Sequence, residues 1–471
     1  MKTNIFAIVF ACLSLLFAAT SCDDKLDIVP KGESTLSNVD DLESLLNQVY
    51  TIYPNPEELN VLCGHQIAMS SLGKQLTETN TYNYALLTGD ESVDREALSD
   101  NGNANDYYKN LYSRIKYFNV VIAKAPEATG SDVTRRRIVA EAKILRAWYH
   151  FLAVNIYAEQ YDEATAASKG GIAYVDNINN SEEKTKLSLA QVYEKLLADC
   201  TDEVIEDLNP NTVKTAYRFG KDFGLGVRAR ILFQMKRYSE ALKYAEKALA
   251  VNSTIEDRSS ILSTGLWTSP RDAEHNYLLI NSGNTNLGDL CFTTVTKDIV
   301  ALFEPGDYTR YYITPGEGWE DDYCSYYDLD GCMYYYGVDL YYNMWGLRTE
   351  SMYYLAAECL IRGGQIQDGL RKIDTVRKYR IDNPVMYAEK TGLTEAEAMK
   401  IYQDCRAIEF VGTFENFFDR KRWNTEEKYR KTIVHDLGSF GTFTVAPDSK
   451  LWVYPFPTKA RNLNPSLTLN Y

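Results

Sequence analysis

The sequence predicts a mainly α protein, a helical-repeat scaffold that carries one large irregular, loop-rich face. Three observations predict it. Apolar residues recur at helical spacing through most of 107–250 and again over 348–412. Small residues, among them Ala241, Ala245 and Ala248, recur where two antiparallel helices need to approach closely. Between 251 and 347 the helical period disappears, and Gly, Asn, Asp, Thr and Tyr take over.

Taken in order, Ser37 or Asn38 caps a helix whose apolar positions are Leu42, Leu45, Leu46, Val49, Tyr50 and Tyr53, with Pro54 and Pro56 stopping it. Residues 60–105 are mixed. Helices follow over 107–125, through Leu111, Ile115, Phe118 and Ile122, and over 133–157, where Ile138, Ala142, Leu145, Tyr149, Leu152 and Ile156 step by four and three. Residues 188–207 and 222–250 continue the pattern. Within 223–250, Ala229, Leu232, Tyr238, Ala241, Ala245 and Ala248 fall where a tetratricopeptide repeat places its packing residues. A second such pair spans 353–380, with its turn at Gly363-Gly364, and a further helix covers 394–412. The tail, 436–471, reads as irregular, with Pro447, Pro455, Pro457 and Pro465.

The first 21 residues read as a signal peptide. A short basic start precedes the apolar run Ile5–Phe17, and Ala18-Ala19-Thr20-Ser21 leads to Cys22. These small residues resemble a bacterial lipobox, which makes Cys22 the lipid anchor; an ordinary cleaved signal is the other reading. Asp23-Asp24 then resembles the surface-export signal of Bacteroidetes lipoproteins. The rest, 22–471, reads as one domain, with helical repeats at about 36–250 and 348–425 and the loop-rich region at about 251–347. No later apolar run reaches transmembrane length, so the lipid would be the sole anchor.

Composition excludes several function classes. The 471 residues carry a net charge of −15, which repels nucleic acid and anionic lipid. Only four His are present, and no zinc-protease, serine-hydrolase or P-loop motif occurs. No enzyme and no cofactor is expected. Gly224-Leu-Gly226 imitates a dinucleotide loop, but it lies on a repeat helix with no strand before it. Glu317, Glu320, Asp321 and Asp322 crowd one loop as solvated or cation-binding groups, and Asp328-Leu-Asp330-Gly331 is similar to only part of a calcium loop. Seven cysteines remain after Cys12 and Cys22, an odd count that is no disulfide framework. Cys359 and Cys405 fit core positions, and Cys324 and Cys332 are close enough in sequence to close a small loop.

Several segments, in order, resemble the SusD/RagB family of outer-membrane nutrient-binding lipoproteins. They are Ala-Glu-Ala-Lys-Ile-Leu-Arg-Ala-Trp-Tyr at 140–149, Asp307 with Arg310, and Arg348-Thr-Glu-Ser-Met-Tyr-Tyr-Leu-Ala-Ala-Glu358. Arg406, Glu409 and Phe410 follow, then Phe417-Phe418-Asp419-Arg420-Lys421-Arg422-Trp423, and Pro455-Phe456-Pro457, Asn464-Pro465 and Asn470. Ser351 stands where members often have Glu, and Glu350 precedes it. The resemblance implies a cell-surface protein that binds a glycan and delivers it to a SusC-like TonB-dependent outer-membrane transporter. Surface adhesion or peptide capture through the same face is the alternative. Arg146, Arg406, Asp419 and Arg422 suit internal ion pairs that hold the scaffold.

The ligand surface is expected in the loops. Thirty-six Tyr exceed what a core needs, and thirteen aromatic residues fall between 308 and 345, interleaved with Asp. Flat rings stack on the C–H faces of sugars, while Asp, Asn and Arg hydrogen-bond the hydroxyls. The candidate ligand-binding residues are Trp319, Tyr323, Tyr326, Tyr327 and Tyr335, with Tyr82 and Tyr84, beside Asn80 and Asn83, as a second source. A single Trp, Trp319 or Trp345, is the sharpest candidate, with a core position the other reading for Trp345, which lies next to the helix that begins at Arg348. A partly self-packed or transporter-facing set of tyrosines is the competing reading.

Overall fold

The computed structural model describes residues 36–48, 50–68, 72–179, 181–210, 218–260, 274–282, 293–310, 329, 331–334, 342–382, 384 and 387–471. Among these, nine helices have ten or more residues: α1 Asn103–Lys124, α2 Asp132–Tyr157, α3 Leu189–Asp199, α4 Lys221–Gln234, α5 Tyr238–Val251, α6 Thr349–Arg362, α7 Ile366–Arg377, α8 Glu395–Glu409 and α9 Glu415–Asn424. The mainly α prediction holds. Local chemistry explains several boundaries. Ser131 caps α2 by accepting from the Thr134 N–H. Ser188 with Gln191 and Thr394 with Glu397 form reciprocal capping boxes at α3 and α8.

Successive helices pack as antiparallel pairs: α1 on α2, α4 on α5, α6 on α7, with α5 resting on α6. This is the predicted helical-repeat stack. The alanines that argued for it, Ala241, Ala245 and Ala248, are fully buried. The Gly224-Leu-Gly226 stretch lies within α4. A Cβ at Gly224 would meet Leu208 at 2.6 Å, and one at Gly226 would meet Leu347 at 3.2 Å, so these glycines serve close helix packing.

The first helix is shorter than its apolar period suggested. It covers Val39–Ser44 with Asn38 as cap. Tyr50–Thr51 is instead a strand, paired in parallel with Ile280–Asn281. That pairing lets the loop-rich region tie down the N-terminal segment, and Tyr50 and Ile52 go into the core. The mixed stretch 60–105 contains the short helices Leu72–Thr77, Tyr82–Thr88 and Arg95–Leu98. The tail is less irregular than expected, since Ile433–Asp436 pairs with Thr442–Val445 in a hairpin that reaches into it.

Candidate functional site

One short three-stranded sheet draws the irregular segments together. Gln66–Ala68 pairs with Thr293–Val295, which in turn pairs with Met333–Tyr334. Beside this sheet Val61, Ile67, Leu72, Leu87, Leu329, Cys332 and Leu437 form a small apolar cluster separate from the main core. Leu329 and Cys332 are buried there. Leu329 and Cys332, from within the tyrosine-rich segment, therefore lie against the same layer that carries Tyr82–Thr88.

A cavity of about 190 Å³ opens in this layer. Val61, Leu86 and Leu87 form its apolar side; Glu57, Glu58, Gln75, Asn83 and Asn103 supply polar groups. Asn83 comes from the helix Tyr82–Thr88, Asn103 from the first residue of α1, and the two glutamates from the helix Glu57–Leu62, which Pro56 caps. Burial, with the Glu57 charge beside it, pushes the Glu58 carboxyl up to about 8. Tyr454 donates its hydroxyl to Glu58 at 3.4 Å. At neutral pH the cavity thus offers the Glu57 carboxylate, which accepts, beside a neutral carboxylic acid and three amides, each able to donate and to accept. No Lys, Arg or His lines it among the described residues.

Tyr82 and Tyr84 are half-buried and pack against the main core. The Tyr82 ring lies 5.4 Å from that of Tyr454, and burial pushes its hydroxyl well above the usual phenol range. Between them, Asn83 faces the cavity. Trp319, Tyr323, Tyr326, Tyr327 and Tyr335 lie outside the described residues, as do Cys22, Cys324 and the acidic groups at 317–322, 328 and 330. Trp345 is core. It is fully buried, donates to the Pro54 carbonyl at 3.2 Å, and stacks on Phe414 at 6.1 Å. Sequence reasoning missed Glu57, Glu58, Gln75 and Asn103, which come from separate stretches of chain and share no motif.

The motif residues are accounted for by internal ion pairs. Arg146 donates to both carboxylate oxygens of Asp199 at 2.6 and 2.7 Å and to Asn119 at 2.9 Å. Arg422 grips Glu358 at 2.6 and 2.7 Å, and Arg406 pairs with Asp419 and, at 2.6 Å, with Glu415. Ser351 donates to Glu415 at 2.5 Å, while Glu350 accepts from Arg380 at 2.9 Å. Glu409 joins Arg258, Arg348 and Arg380. Asn470 donates to the carbonyls of Tyr157 and Gly171, each at 2.8 Å, so the closing segment is pinned to the end of α2. Among the described residues no cluster of three or more His, Cys, Asp or Glu is arranged to hold a metal ion.

Two family models match the chain. One, described as starch-binding associating with outer membrane, covers residues 24–232, and the other, the SusD family, covers 339–471. Solved structures match over nearly the whole length. A SusD superfamily protein from Bacteroides thetaiotaomicron is 15% identical, covers 92% of this chain and 100% of its own, and has a TM-score of 0.71. A putative sugar-binding protein from Bacteroides vulgatus is 15% identical, with 93% and 99% covered and a TM-score of 0.70. The surface glycan-binding protein A of Bacteroides fluxus is 14% identical, with 92% and 97% covered and a TM-score of 0.63. None of the curated proteins matches the chain.

Proposed function

This chain belongs to the SusD/RagB family, and on that premise we propose that it is a cell-surface lipoprotein, not an enzyme, that captures an oligosaccharide and delivers it to a partner TonB-dependent transporter. One observation carries the ligand class. The polar cavity of Glu57, Glu58, Gln75, Asn83 and Asn103 sits in the layer that Leu329 and Cys332, from within the tyrosine-rich segment, also join. Amides and a protonated acid match hydroxyls that donate and accept at once. At about 190 Å³ the cavity is smaller than the roughly 300–1,000 Å³ of pockets that enclose a whole drug-sized ligand. It suits one ring or one end of a longer chain lying across the loops.

The anchoring logic supports the partner. Lipid at Cys22 holds the chain at the outer membrane, facing the exterior, but moves no hydrophilic ligand across it. A barrel must do that.

The test is a glycan array followed by calorimetric titration of the strongest binder. Asn83→Ala should weaken that binding about tenfold or more, the worth of a lost buried hydrogen-bonding partner. Trp319→Ala should cost about tenfold to hundredfold in affinity while leaving the melting temperature nearly unchanged. An array silent to every saccharide, with capture of peptides in its place, would turn the reading to the protein-binding alternative.

A further inference from the structure

A second and larger cavity, about 370 Å³, lies where the ends of α2 and α9 meet the C-terminal tail. It shares no lining residue with the first. Its walls include Glu159 and Gln160 just beyond α2, Lys421 and Asn424 of α9, and Trp452, Val453 and Tyr471 of the tail. Its volume falls within the range of small-molecule sites.

Lys421 is the unusual group. It follows Asp419 and precedes Arg422, both of which the scaffold's ion pairs consume, yet it joins no ion pair itself among the described residues. The side chain is 3% exposed. Its ammonium donates to the carbonyls of Asn155 at 2.6 Å and Ala158 at 2.7 Å, at the C-terminal end of α2. These use two of its three protons. Glu159, the nearby carboxylate, is held by Lys169. The Asn424 amide has neither its nitrogen nor its oxygen hydrogen-bonded among the described residues. The cavity therefore joins an incompletely used buried cation, an accessible carboxylate and an idle amide to walls of indole, phenol and valine. An unsatisfied buried amide is costly, and a ligand that paired it would recover that cost.

We propose that this cavity is a second saccharide-binding site, which takes a neutral sugar ring between Lys421, Glu159 and Asn424 with Trp452 and Tyr471 as its apolar walls. A hydroxyl oxygen accepts from the third proton of the ammonium, and a hydroxyl donates to the carboxylate that Lys169 also holds, so one ring bridges the two groups. A purely anionic ligand would meet Glu159 and Asp448; a purely cationic one would meet Lys421 and Lys450. Two sites on one surface protein would raise its avidity for a polymer through effective concentration, without any tighter single contact.

The test uses full-length folded protein labelled with ¹³C-lysine. Burial lowers the Lys421 ammonium to about 7, so its ε-carbon resonance titrates apart from surface lysines, and Lys421→Met assigns it. The probes are glucose, galactose, mannose, xylose and their short oligomers, with glucuronate as the anionic comparison. Binding of a neutral probe should move the titration midpoint of Lys421. The shift should persist in Asn83→Ala, which disables only the first cavity. In Asn424→Ala and in Glu159→Gln the neutral probe should bind about tenfold more weakly or worse. The proposal fails if no neutral probe moves the resonance, if glucuronate alone does, if the shift disappears in Asn83→Ala, or if both second-cavity variants bind as the parent does. Because Asn83→Ala and the second-cavity variants are read separately, failure here leaves the first site standing, and the reverse.

Discussion

Glu58 and Glu409 are both removed from water, and their neighbours send them opposite ways. At Glu58 burial is reinforced by Glu57, and its carboxyl rises to about 8. A carboxyl that binds its proton more tightly when folded stabilises the fold at low pH, and that stability is lost as pH climbs from about 4.5 through about 8. Glu58→Gln should remove this slope, so the melting-temperature difference between parent and variant should change sign or shrink across that window. A constant difference would place Glu58 in ordinary solvent. At Glu409 burial alone would raise the carboxyl, but Arg258, Arg380 and Arg348 outweigh it and hold it at about 2. Here the sign reverses: stability is complete above about 4.5 and is lost as pH falls toward about 2. Glu409→Gln leaves three buried guanidiniums short of a partner and should cost about 3–5 kcal/mol in urea unfolding. Trp345→Ala should cost about 3–5 kcal/mol of stability as well, yet leave saccharide affinity per folded molecule unchanged, because the ring lies between Tyr107 and Phe414 in the core.

At the level of elements, the hairpin of α6 and α7 depends on a single missing side chain. A Cβ at Gly369 would come within 2.6 Å of Ile361 and 2.7 Å of the Ala357 carbonyl oxygen. Replacing a mid-helix glycine by alanine ordinarily gains about 0.5–1 kcal/mol of helix stability. Overpacking costs about 1–3 kcal/mol, and one of the two obstacles is backbone that cannot rotate away. Gly369→Ala is therefore expected to destabilise on balance, by chemical denaturation, and a stabilised variant would show that the two helices can separate freely. The tail works differently. Asn470 donates into two carbonyls, that of Tyr157 at the end of α2 and that of Gly171 in the strand Gly170–Ala173. Nothing in a 3.6-residue period announces such a contact, because it is made by one amide from a segment without regular structure.

Over the whole molecule, charge and anchoring argue together. With a net charge of −15, the chain has no electrostatic attraction to an anionic membrane surface. No helix among the described residues is long and apolar enough to cross a membrane. The proposed attachment through Cys22 is tested directly: Cys22→Ala should shift the protein from the membrane fraction to the soluble fraction on cell fractionation. Mild-detergent extraction of the native form should bring a TonB-dependent barrel with it; recovery without one, under conditions that preserve a control complex, would remove the transporter from the proposal.

The sequence by itself determined the helical scaffold. Helix periodicity, capping serines and threonines, and spaced alanines are local signals, and local signals survive without tertiary context. It also marked Arg146, Arg406, Asp419 and Arg422 as internal, since paired charges of opposite sign on apolar helices have few other uses. Tertiary structure decided the rest. Tyr50 continues a helical apolar pattern, yet it became a strand because Ile280 offered a partner 230 residues away. Tyr82 and Tyr84 turned toward the core and left Asn83 at the cavity, a choice set by which face of a seven-residue helix meets Tyr454. The polar cavity itself joins residues 57, 58, 75, 83 and 103. No pattern along the chain links them, because a concave site is a property of how packed elements meet, and only the fold brings those elements together.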